Sequence, residues 1–280
     1  MNLNQMYEKY RNGEHLQDLL EDIRDVLENE DREFDLNRLA DYDYAKEHLF
    51  VKISKIEGRE DVLKDVPYEK KEDLALTYHI LVEQEAGGIS SAMITNSIMK
   101  VYGIDQEQLH KDAIENSPKI LPAKVMSVGS MLLNSLEKDG EDVDVNIRSA
   151  LEGESSSMLT IVTNEVGIEG AATLFYPELM EKLSDQFGDY FILPSSIHET
   201  LILPDDGFMS VTMLKNMVTE INETQVMENE RLTNEVYHYD SKEHVFERAD
   251  KFKARKMEKS NMRAFEENTQ KSKKTHEISL

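Results

Sequence analysis

The chain has 280 residues, no cysteine, and 56 Asp and Glu against 32 Lys and Arg, a formal charge of −24. Without Cys, disulfides, thiolate zinc sites, iron–sulfur ligation and cysteine nucleophiles are excluded, and so negative a chain repels the phosphate backbone of nucleic acids over most of its surface. With 39% hydrophobic and 31% charged residues it can build a core as one large domain or two small ones, and the lack of a basic-then-apolar start or of an apolar run of about 18 residues predicts a soluble, cytoplasmic protein with no membrane contact.

The first element spans about Glu14 to Asn29, where Leu16, Leu19, Leu20, Ile23, Val26 and Leu27 recur at spacings of three and four and give a helix one apolar face. Asp35 is the expected cap of a second helix carrying Leu36, Leu39, Ala45 and Leu49, and Phe50 to Ile56 has the β-branched content of a strand. Leu74 to Val82 reads as a buried strand. Its antiparallel partner is Ile89 to Ile98, reached by a turn at Gly87-Gly88 and becoming helical near Asn96. After Gly103, Asp105 caps a helix that Ser117-Pro118 ends, because proline cannot donate and restricts the residue before it.

Ala123 to Lys138 reads as a further helix on Val125, Met126, Val128, Met131, Leu132 and Leu136. The acidic stretch 137–157, with Gly140 and Gly153, is the expected mobile connection and the place where the body would subdivide. Strand signals return at Met158 to Thr163, Ala171 to Tyr176, Tyr190 to Leu193 and Ile197 to Leu203, with a helix after Pro177, a turn at Asp205-Asp206-Gly207 and a helix from Ser210 to Thr224. Residues 251–280 hold nine Lys and Arg against four Glu, a net of +5, whereas residues 1–250 carry −29. The expected organisation is a body over 1–250 and a basic tail over 251–280, helical from Lys251 to Phe265 and disordered from Asn268. The fold class is α+β: a short, largely antiparallel sheet covered by helices.

Three stretches carry a resemblance: Met6 to Gly13 (MYEKYRNG), Met93 to Ile120 (MITNSIMKVYGIDQEQLHKDAIENSPKI) and Asn164 to Gly207 (NEVGIEGAATLFYPELMEKLSDQFGDYFILPSSIHETLILPDDG). Together they are similar to a bacterial family of uncharacterised proteins, domain-of-unknown-function family 5688. The resemblance implies a further N-terminal portion ahead of Met6, so the chain reads as a shortened member with a sheet edge or apolar groove left open. It implies no activity and no catalytic residues.

The densest polar cluster is Pro194 to Thr200, where Ser195, Ser196, His198 and Glu199 supply a hydroxyl, an imidazole and a carboxyl. Neighbouring strand side chains point to opposite faces and no Gly-x-Ser-x-Gly elbow is present, so the favoured reading is a turn that satisfies its own backbone. His238, Asp240 and His244 could hold a divalent metal, but their spacing fits no His-Glu-x-x-His helix, and the favoured reading is the polar boundary of a final helix. His79 is read as a satisfied buried histidine, and the acidic run Asp139 to Asp144 as a solvated loop out of calcium-loop register. Gly167 to Ala172 lacks the dinucleotide fingerprint and reads as a turn between strands.

No cofactor is expected. Nucleic-acid contact is expected only if the tail supplies it through Lys251, Lys253, Arg255, Lys256 and Lys259. The leading expectation is a non-catalytic binding or protein-interaction module with a protein partner. The alternative is a hydrolase or metal-dependent enzyme built on the 195–199 or the 238–244 cluster.

Overall fold

The computed structural model describes residues 40–85, 88–138, 144–153, 159–194 and 196–277. The predicted Glu14–Asn29 helix, the Asp35 cap, the Gly87 turn position and Ser195 lie outside them. Asp41 caps a short helix α1 (Tyr42–Lys46) by accepting from the Asp43 N–H at 3.0 Å. Leu49, placed on a helix face by spacing, instead opens strand β1 (Leu49–Lys55). The short helix α2 (Glu60–Leu63) and β2 (Tyr68–Lys71) follow, then the long β3 (Leu74–Glu85) and β4 (Gly88–Met93). All four strands form one antiparallel sheet: β1 takes one edge of β3, and β2 and β4 share the other.

Thr95 caps α3 (Asn96–Tyr102), Gly103 ends it in the left-handed region at φ +68°, and Asp105 caps α4 (Gln106–Ile120), as the local signals require. Pro118 does not stop α4 but sits in its last turn, where Ser117 Oγ donates to the Ala113 carbonyl at 2.6 Å and the Leu121 N–H still reaches the Ser117 carbonyl. The same hydroxyl accepts the Val51 N–H at 3.0 Å, and Asn116 donates to the Glu47 and Leu49 carbonyls. These buried side chains satisfy the outer edge of β1, which no further strand covers among the described residues.

The expected helix from Ala123 splits. Ala123–Ser127 is strand β5, and only Val128–Lys138 is helix, α5. A five-residue stretch of mixed composition suits either period, and the antiparallel pairing offered by β6 (Thr160–Asn164) decides it. The acidic connection contains a helix, α6 (Val145–Glu152), capped by Asp144; residues 139–143 and 154–158 lie outside the described ones.

Ala171 to Tyr176 is likewise not a strand but a buried 3-10 helix over Gly170–Phe175. Its backbone closes locally, with Thr173 Oγ1 on the Gly170 carbonyl at 2.7 Å and the Tyr176 N–H on the Thr173 carbonyl. Buried Ala171, Ala172 and Leu174 let it pack against β6 on one side and β1 on the other. Apolar, β-branched composition reports burial here, and the backbone conformation follows from the space between two sheets.

The remaining elements are α7 (Leu179–Phe187), β7 (Tyr190–Leu193), β8 (Thr200–Pro204), α8 (Val211–Thr224), β9 (Tyr237–Asp240), β10 (Val245–Arg248) and α9 (Ala249–Glu277). The second sheet has the order β10-β9-β7-β8-β6-β5, antiparallel throughout. Strand alternation sends Tyr190, Ile192, Ile202 and Val162 to the face nearer the 3-10 helix. Phe191 and Leu193 go to the opposite face, where Leu214 and Val218 of α8 cover them. The chain is therefore α+β, with helices over antiparallel sheets.

Candidate functional site

Toward the β5 edge the second sheet carries a cavity of about 640 Å³. Met126, Ile161 and Leu201 form its apolar floor, on the face that α8 covers further along, and Met131 of α5 stands over it, 43% exposed. Lys124, Glu165 and Glu199 supply the charge in its lining. Beside it β5 is, among the described residues, the last strand of its sheet, and Ala123, Lys124 and Val125 are exposed. An edge strand leaves alternate backbone N–H and C=O groups without a ladder partner. Sequence reasoning missed this site because its residues come from β5, α5, β6 and β8, and only the pairing register puts them on one face.

Glu199 belongs both to this cavity and to the polar cluster. Ser196, buried, donates its hydroxyl to Glu199 Oε1 at 3.0 Å and accepts the N–H of His198 at 3.0 Å, so it locks the turn entering β8. His198 turns elsewhere: its Nδ1 accepts the Glu169 backbone N–H at 3.2 Å, which leaves the ring proton on Nε2, 3.5 Å from Glu230. The nitrogen that would act as a base is occupied by a main-chain donor, and the serine proton is held by a carboxylate rather than an imidazole.

The 238–244 segment is a strand and turn, β9 into β10, rather than a helix boundary. Burial lowers the pKa of His238, with Asp205, whose Oδ2 lies 3.1 Å from Nε2, pulling the other way. The ring stacks on Phe252 at 3.5 Å. Asp240, fully buried, is raised by desolvation, but hydrogen bonds from Lys256, Arg255 and the Glu243 and Lys242 N–H groups outweigh this and bring it to about 2. His244 lies near the Tyr239 hydroxyl at 3.3 Å, and Tyr239 alternates to the face opposite His238. Among the described residues no three His, Asp or Glu side chains gather around one position that could hold a metal ion. His79 is half satisfied: Nε2 meets Thr77 Oγ1 at 3.0 Å, and Nδ1 has no partner.

Residues 1–241 match the family of unknown function DUF5688. The chain belongs to this family. The family match spans the β5 cavity, the Ser196 turn, His238 and Asp240, and ends before His244 and the basic helix α9. No curated protein and no solved structure matches the chain. Among the described residues no helix is long and apolar enough to cross a membrane.

Four of the five predicted contact residues of α9 are paired with carboxylates. Lys251 pairs with Glu72, Arg255 with Asp240, Glu243 and Glu247, Lys256 with Asp240 and Lys259 with Glu243. Lys253 alone of the five predicted contact residues stands exposed without an ion pair among the described residues. A phosphate backbone would have to compete with carboxylates already in place.

Proposed function

We propose that this member of the family is a non-catalytic protein-interaction module that receives an extended segment of a partner protein along β5. The carrying observation is an exposed edge strand beside an apolar-floored cavity: added-strand pairing supplies main-chain hydrogen bonds, and alternate side chains of the guest enter the cavity. Two carboxylates against one lysine in the lining, in a chain of net −24, favour a guest that alternates apolar with basic residues. The divergent bonding of Ser196, His198 and Glu199, and of His238, Asp240 and His244, supports binding over hydrolysis or metal-dependent catalysis.

Selection of short peptides of this alternating pattern on the full chain tests the reading, with amide chemical shifts as the readout. Bound peptides should perturb Ala123 to Ser127, and Met131→Lys should weaken them by about tenfold or more. Shifts confined to another face, unchanged affinity in the variant, or cleavage of the peptides would refute it.

A further inference from the structure

A second cavity, of about 570 Å³, opens between the end of β1 and the segment before β9, lined by Ser54, Lys55, Arg59, Ile197, Glu228 and Arg231 together with Asn229. Three cations face one carboxylate there, in a chain with 24 more acidic than basic residues. Three other arginines are neutralised: Arg148 by Glu137, Arg248 by Glu235 and Asp250, Arg255 by Asp240, Glu243 and Glu247. Arg59 and Arg231 make no ion pair among the described residues, and both line this one cavity. Gathering like charges without counterions is unfavourable, and in so acidic a chain chance would sooner place a carboxylate beside each.

The backbone that carries two of the cations is fixed. Gly58, at φ +74°, turns the chain so that the Arg59 N–H bonds the Ile56 carbonyl, which fixes Arg59 just ahead of α2. Arg231 is bridged to Ser196, and its Nε donates to the Val226 carbonyl at 2.9 Å, leaving the two terminal nitrogens of the guanidinium for a guest. In the wall, Ser54 is 7% exposed and its hydroxyl has no hydrogen-bond partner.

We infer that this cavity binds a phosphorylated small molecule, with Arg59, Arg231 and Lys55 on the phosphate oxygens. Guanidinium groups match such oxygens in bidentate geometry, and three cations suit a doubly charged group better than a single carboxylate. The volume exceeds that of bare phosphate and lies in the range of small-molecule sites, with Ile197 and Asn229 left for the remainder of the guest.

The probes are inorganic phosphate and pyrophosphate, titrated into the full chain by calorimetry at ionic strength matched with sodium chloride, with acetate as the carboxylate control. Pyrophosphate should bind saturably and more tightly than acetate, and Arg59→Gln or Lys55→Gln should weaken it by about tenfold or more. Arg59→Gln decides the matter even if Arg231→Gln folds poorly, because the Arg59 side chain makes no hydrogen bond among the described residues. Lys253→Gln, on the exposed tail helix, should leave binding unchanged. Absence of saturable binding, equal affinity for acetate, or wild-type affinity in both Arg59→Gln and Lys55→Gln would overturn the assignment.

Discussion

Gly170 starts the buried 3-10 helix where β6 and the Ser196 turn press close against the backbone. A Cβ there would lie 2.2 Å from Thr163 Oγ1, 2.5 Å from the His198 carbonyl and 2.7 Å from the Asn164 nitrogen. The Thr163 hydroxyl donates to that same His198 carbonyl at 2.7 Å, so relief of the clash would break the link between β6 and the Ser196 turn. Gly170→Ala is expected to destabilise the chain by about 3 kcal/mol, read as a lower denaturant midpoint. An unchanged midpoint would show that the backbone yields. At this scale the cap at Asp105 and the glycines at 103 and 207 were legible, since each answers a requirement of its own few residues. The partners of His198, Asp240 and Arg231 were not, because they come from residues distant in sequence.

Among the elements, α9 runs from Ala249 to Glu277 and takes in the stretch Lys251 to Phe265 read as helical from the sequence. Its first turns are docked by the stacking of Phe252 on His238 and by Arg255 and Lys256 on Asp240. Asp240→Asn removes the buried charge and leaves both cations without it, an expected loss of about 2 kcal/mol. Limited proteolysis is the check: cleavage within 251–265 should precede cleavage of the body in the variant and not in the parent chain. Because Asp240 is held down to about 2, its contribution is present above the usual carboxylate value near 3.9 and is lost as pH falls through about 2. Strands β7 and β8 were legible from apolar runs. Strands β5, β9 and β10 were not, since AKVMS, YHYD and VFER are too short and mixed to show a period.

Across the whole molecule, stability toward acid depends on histidines buried in the neutral state. His79 lies beside Phe50, its partner across the strand pair in the first sheet, and burial first, with Lys52 and Arg59 adding to it, brings its pKa down to about 3; burial lowers His238 in the second sheet as well. Both protonate more readily in the unfolded chain, near 6.5, so their contribution is full above that pH and is lost as pH falls toward the folded values. The urea midpoint is expected to decline from pH 7 to pH 4, and His79→Gln should flatten part of that decline; a parallel profile in the variant would assign it elsewhere. Composition and local pattern by themselves determined that the chain is acidic, lacks thiol chemistry, and folds as α+β around antiparallel strands. Those properties follow from what each short stretch of chain can bury and cap. Only the tertiary structure decided that the polar clusters diverge, that β5 is an edge above an open cavity, and that Arg59 and Arg231, 172 positions apart, share one pocket. Register and chain crossing bring such residues together, and neither is written in any local window.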